Sequence, residues 1–157
     1  MRITILLLLL LANSALAQTN PHQNITIGTS NEPNEPTIAM HPKNSDILLA
    51  GSNIYNLYVS EDGGKTWQEK ELQSTFGVWG DPVIIPDTAG NFYFFHLSNP
   101  SDGNWIDRIV CQKSTDNGKS WSNGSFTGLN GTKAQDKHWA IVDKRTNYIY
   151  VTWTQFD

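Results

Sequence analysis

Two copies of one octapeptide set the strongest limit on what this chain can fold into. Ser60-Glu61-Asp62-Gly63-Gly64-Lys65-Thr66-Trp67 returns 54 residues later as Ser114-Thr115-Asp116-Asn117-Gly118-Lys119-Ser120-Trp121, and both fit S-x-D-x-G-x-x-W. A second register runs ahead of the first. Glu35-Pro36-Thr37-Ile38-Ala39, Asp81-Pro82-Val83-Ile84-Ile85 and Asp136-Lys137-His138-Trp139-Ala140-Ile141 each place an acidic residue before a strand-forming run. A turn and another apolar run follow each time, at residues 47–50, 92–95 and 149–153. Self-similarity near this period means one structural unit stacked on copies of itself, and the length suits a four-stranded propeller blade.

The intervening sequence agrees. Short runs rich in β-branched and aromatic residues alternate with Asn, Asp, Gly and Pro, and no stretch has the periodicity of an amphipathic helix. These runs predict an all-β chain, a β-propeller of four-stranded antiparallel blades with about two and a half blades present. Blade one is expected over 35–80, blade two over 81–135 and an incomplete blade three over 136–157, so the chain is expected to be a fragment. The octapeptide then falls at the tight turn between a blade's third and fourth strands. Asp62 and Asp116 are expected to accept backbone amides there, and Gly64 and Gly118 to supply positive φ. Ser60 and Ser114 tie the turn, while Trp67 and Trp121 open the returning strand and pack between sheets. A calcium loop needs more oxygen ligands than this pattern holds.

The N-terminus addresses destination. Met1-Arg2 is followed by an apolar run over residues 3–11 and by Ala15-Leu16-Ala17, a cleavage-site pattern. Residues 1–17 are therefore expected to be a signal peptide, 18–34 a polar lead, and the mature protein secreted or periplasmic. The apolar run is far shorter than the roughly 20 residues a transmembrane helix requires, so no transmembrane segment is expected. With 11 basic and 15 acidic residues the net charge is −4, and the lysines form no stripe, which argues against a nucleic-acid partner. Cys111 is the single cysteine; it forms no internal disulfide and is expected to behave as a small buried hydrophobe. His41 and His96 lack ligand-spaced partners, so no metal is expected, and no motif calls for another cofactor.

Glu35, Asp81 and Asp136 are the candidate catalytic residues. Recurring at the start of successive innermost strands, they are expected to face the central channel. Converging carboxylates there can bind a cation, hold sugar hydroxyls or divide acid and base roles, with local caps or ion pairs at the channel mouth as the alternative. Asn34, Lys137, His138 and Trp139 are the candidate substrate-binding residues. Trp139 suits stacking on a sugar ring or filling the core, and core filling is the expected use.

The octapeptides resemble the Asp-box, or BNR, repeats of the sialidase superfamily, and the likeness covers roughly residue 35 to the last residue. Asp136-Lys137-His138-Trp139 and Trp153-Thr154-Gln155-Phe156-Asp157 are also similar to segments of secreted bacterial exo-α-sialidase-like, BNR-repeat glycosyl hydrolases. The resemblance implies a six-bladed propeller in a complete protein. It further implies an arginine triad for the substrate carboxylate, an Asp acid/base, and a Tyr nucleophile assisted by Glu. An Arg-Ile-Pro-like segment would carry the first arginine; here Asn34-Glu35-Pro36 stands in its place, with Asn34 at the arginine position. Beyond the leader only Arg108 and Arg145 remain, neither in a matching context. The function implied is a secreted sialidase-like glycoside hydrolase acting on a glycan or glycoconjugate. The alternative is a non-catalytic propeller that binds glycans or a surface protein.

Overall fold

A computed structural model describes residues 23–157, so the expected signal peptide and the first part of the polar lead lie outside the described residues. Among the described residues there are ten strands and no helix, hence no helix long and apolar enough to cross a membrane. Strands β1 (Thr37–Met40), β2 (Leu48–Ser52), β3 (Asn56–Ser60) and β4 (Gln68–Glu71) form one sheet in chain order. Strands β5 (Val83–Pro86), β6 (Phe92–Leu97), β7 (Ile109–Ser114) and β8 (Ser125–Thr127) form a second, and β9 (Ala134–Val142) pairs with β10 (Ile149–Phe156). Every neighbouring pair is antiparallel. The chain is thus all-β and built of propeller blades, two of them four-stranded and a third represented by two strands.

The alternation of strand side chains explains why the sheets stack. On β6, Phe92 and Phe94 face the first sheet and join Leu49, Leu57, Val59 and Ile84 in one core. Phe95 and Leu97 face the other way and meet Val83, Ile109 and Ala140 in a second core against β9 and β10. A central strand buried on both faces reads as an unbroken apolar run, which is what Phe92-Tyr93-Phe94-Phe95 shows. Cys111 borders the second core, half-buried, and burial pushes its thiol up to about 12, far from thiolate chemistry.

Both octapeptides close the turn after the third strand. Asp62 Oδ1 accepts the backbone N–H groups of Lys65 (3.0 Å) and Thr66 (2.9 Å), and Oδ2 takes the Thr66 hydroxyl at 2.6 Å. Asp116 accepts Ser120 N–H at 2.9 Å and the Ser120 hydroxyl at 2.5 Å. Ser60 and Ser114 accept Gly64 N–H and Gly118 N–H at 2.9 and 2.8 Å while donating to the aspartates. These bonds hold both carboxylates down to about 2, with the Thr66 and Ser120 hydroxyls the leading cause in each case. Trp121 packs edge-on against Phe94 in the first core, whereas Trp67 donates its indole N–H to Gly64 O at 3.0 Å within its own turn.

Candidate functional site

Each unit has a residue in the left-handed region at its innermost strand: Glu35 at φ 49° and Asp81 at φ 51° just before β1 and β5, and Lys137 at φ 49° within β9. A non-glycine residue there costs roughly 1–2 kcal/mol, so its recurrence in all three units defines one equivalent position. Facing confirms the equivalence. Two residues on, Thr37 accepts Ile84 N–H from the second sheet at 3.3 Å, Val83 packs toward the third sheet, and Trp139 faces outward beyond it. The third unit therefore offers Lys137 at the position of Glu35 and Asp81, and Asp136 sits one residue earlier. Asp136 lies where β9 pairs with Thr154 of β10, and a bulge between Thr152 and Thr154 takes up the extra residue. A strand that starts at Ala134, five residues before Trp139, was hidden because polar Gln135 and Asp136 carry no apolar signal, though Gln135 is fully buried.

Glu35, Asp81 and Lys137 meet around a cleft of about 330 Å³ whose walls also include Pro36, Pro82, Val83, His138 and Trp139. The Glu35 and Asp81 carboxyls flank the same ammonium and shift each other's titration. Lys137 Nζ lies 3.3 Å from Glu35 Oε2 and 3.4 Å from Asp81 Oδ2. Burial is the main cause that pushes Asp81 up to about 6, with the Glu35 carboxyl and its charge adding to it and Lys137 opposing. Glu35 moves the other way, held below the usual range chiefly by the neighbouring Asp81 carboxyl and then by Lys137. Below about pH 6 the pair therefore holds one proton, which favours Asp81, while the negative charge favours the more exposed Glu35. Lys137 is raised, first by the charge of Asp81.

A residue that sequence inspection passed over holds this cluster together. Asn53, in the β2–β3 turn, accepts Asp81 N–H through Oδ1 at 2.6 Å and donates through Nδ2 to Asn34 Oδ1 at 3.1 Å. Its backbone N–H donates to Asn34 O at 2.9 Å. Gly80, at φ 99°, makes room for it, since a Cβ there would lie 2.2 Å from Asn53 Oδ1. In the sequence Asn53 is one of several turn asparagines, and nothing local marks it.

The other candidates divide. Asn34 is engaged with Asn53 and with Glu32 O, outside the cleft's lining. His138 lines the cleft but is buried against Phe95, and among the described residues neither ring nitrogen has a partner in hydrogen-bonding geometry. Trp139 does not fill the core between the described sheets: it is 68% exposed and flanks the cleft. Its strand position faces away from the second sheet, which removes the core it was expected to join. Both described arginines are occupied or remote from the cleft. Arg108 makes two 2.7 Å bonds to Asp107 and lies 4.7 Å over the Phe126 ring, and Arg145 is exposed in the β9–β10 turn.

Comparison with known proteins bears on the fold and on half of the sequence. No protein-family model matches the chain. A sialidase from Bacteroides fragilis (strain YCH46) is 34% identical to it over 104 residues, covering 50% of this chain and 19% of the sialidase. The crystal structure of a thermostable family-43 glycoside hydrolase matches 85% of this chain and 43% of its own with a TM-score of 0.55 at 18% identity, a likeness of fold. The chain therefore spans about a fifth of the curated relative and under half of the solved one. Half of the chain is thus similar in sequence to one sialidase, and most of it is similar in fold to one family-43 glycoside hydrolase.

Proposed function

We propose that this chain carries part of the active site of a secreted, glycan-acting glycoside hydrolase, with Asp81 as proton donor to the glycosidic oxygen. The observation behind this is the Glu35–Asp81 pair in the cleft beside Lys137. A general acid must still hold its proton near working pH, and Asp81 at about 6 does so where an ordinary Asp does not. As the glycosidic C–O bond breaks, the Asp81 proton passes to the leaving oxygen, and Lys137 offsets the second negative charge left on the pair. Both carboxyls hold the same ammonium, with Lys137 Nζ 3.3 Å from Glu35 Oε2 and 3.4 Å from Asp81 Oδ2, so they act as one acid unit. Separate acid and nucleophile or base carboxyls stand about 5–9.5 Å apart, and the group on the sugar's opposite face is therefore a different one. Lys137 is a point charge, while Arg108 and Arg145 offer no forked clamp to the cleft. Glycans in general, rather than sialosides alone, are accordingly the substrate class proposed. Secretion follows from the leader pattern in residues 1–17.

A non-catalytic glycan- or protein-binding propeller is the second reading, and the double ion pair of Lys137 favours it, because such bridges also lock a rim that does no chemistry. Assay of the protein on a panel of aryl and natural glycosides separates the two. Asp81→Asn should lower kcat by about 100-fold or more with saccharide affinity by calorimetry nearly unchanged, and the wild-type rate should fall above about pH 6. Binding without turnover by folded protein establishes the second reading. Neither binding nor turnover overturns both.

A further inference from the structure

Trp79 and Trp105 stand on two loops at the end of the second sheet that carries Asp81, and they are 37% and 57% exposed. Tryptophan normally hides most of its surface, so two open rings side by side call for an occupant. The backbone fixes where they stand. Trp79 N–H donates to Leu97 O at 2.9 Å and Leu97 N–H to Gly80 O at 3.0 Å, which holds Trp79 two residues before Asp81. Ile106 donates to Ser98 O at 3.0 Å, and its carbonyl accepts Gln135 N–H at 2.7 Å, two residues before Lys137. Both rings are therefore tied to segments that run straight into the cleft. Ile106 is buried at φ 45°, a strained conformation for a β-branched residue, and Trp105 beside it is left in solvent. The rings meet edge to face, with centroids 6.2 Å apart and planes at 85°, forming a floor and a wall.

Exposed Asp102 and Asn104 flank this corner. A flat apolar face bordered by carboxylate and amide groups matches a pyranose ring, which offers C–H bonds from one face and hydroxyls around its edge. A wholly apolar occupant would strand those polar groups. We propose that Trp79 and Trp105 form a sugar-stacking subsite beside the acid cleft, holding the ring next to the one whose bond meets Asp81. This deepens the glycan reading above and rests on it. The preferred ligands are then saccharides of two or more units.

Isothermal titration calorimetry of the protein with lactose, cellobiose and 3′-sialyllactose, and with galactose and glucose, tests the subsite without requiring turnover. At least one di- or trisaccharide should bind more tightly than the monosaccharides. Trp105→Ala and Trp79→Ala should each weaken it by about tenfold, Trp105→Phe should restore most of the loss, and Lys65→Ala, in the Asp62 turn away from the cleft, should leave affinity within about twofold. Affinity unchanged in both alanine variants overturns the subsite, as does failure of the wild type to bind any of the five sugars. Affinity lost in Asp81→Asn and kept in the tryptophan variants also overturns it, while leaving the glycan reading intact. Absent turnover with tryptophan-dependent binding supports the subsite and counts only against the hydrolase.

Discussion

His96 and His138 are both buried, His96 against Phe94 and His138 against Phe95 at the cleft, and both are held neutral. Burial is the leading cause that brings each down to about 4. His96 at least has oxygen partners, Leu97 O at 2.8 Å and Gln112 Oε1 at 3.2 Å, whereas His138 has none among the described residues. An unfolded histidine titrates near 6.5, so between 6.5 and 4 the unfolded chain holds more protons. Their contribution to stability is complete above about pH 6.5 and is lost as pH falls toward 4. Asp81 works in the opposite sense: its raised value adds stability below about pH 4 that disappears as pH rises through 6. Two well-buried histidines outweigh one partly solvated carboxyl, so the protein should lose on the order of a few kcal/mol between pH 6.5 and 4.5. Urea midpoints across that range check this, and a midpoint that holds steady or rises on acidification contradicts it. His138→Phe should remove more than half of the slope, since the remaining histidine is then opposed by Asp81, and should stabilise the fold at pH 5 by about 1 kcal/mol, because it deletes two unpaired buried nitrogens. The sequence offered His138 as a candidate substrate-binding residue and carries no local sign of its burial. That depends on Phe95, which is 43 residues away in the chain.

At the scale of elements, what was legible was whatever the chain encodes locally. The octapeptide turns could be read because Ser, Asp and Gly act within five residues of one another, and the inner strands because their apolar runs are continuous. Strands β4 and β8 were not individually legible. Their sequences, QEKE and SFT, lie on the outer edge of each blade with nearly every residue exposed, so no burial pattern is written into them. The same limit moved the third acid out of register. Counting from acidic residues chose Asp136, but the left-handed position belongs to Lys137, and only the bulge opposite reveals the shift. Gly118 shows how a local turn also serves long-range packing. Its φ of 79° and a Cβ site 2.7 Å from Leu49 Cδ2 press the second turn onto the first sheet. Gly118→Ala should therefore cost about 1–3 kcal/mol. Gly131→Ala, at φ 60° with nothing nearby, should cost only the local strain of about 1 kcal/mol. Denaturant midpoints at low protein concentration compare the two, and equal losses would mean the Leu49 contact is immaterial.

At the scale of the whole molecule, the stack of sheets leaves two apolar faces open among the described residues. Ile38 and Met40 are 62% and 53% exposed on the first sheet, and Trp139, Ile141 and Tyr150 are 68%, 63% and 58% exposed on the third. The cross-strand register makes the second face continuous, since Ile141 stands opposite Tyr150 and Trp139 opposite Thr152. Between the described sheets such faces are buried in pairs, as Phe94 is against Leu49 and Val83 against Ala140. The two open faces have the chemistry of a blade interface without its partner, and exposed patches of this kind drive association. A polypeptide of residues 18–157 should accordingly self-associate at micromolar concentration through these faces. Light scattering coupled to size exclusion measures this directly. Trp139→Lys combined with Ile141→Lys should shift the population toward monomer, because like charges on one face resist stacking and the lysines keep their heads in water. Glu35→Gln, on the cleft side, should leave the distribution unchanged. A wild-type polypeptide that runs as a single monomer at every concentration, or a double-lysine variant that associates as strongly as wild type, would rule these faces out as the cause.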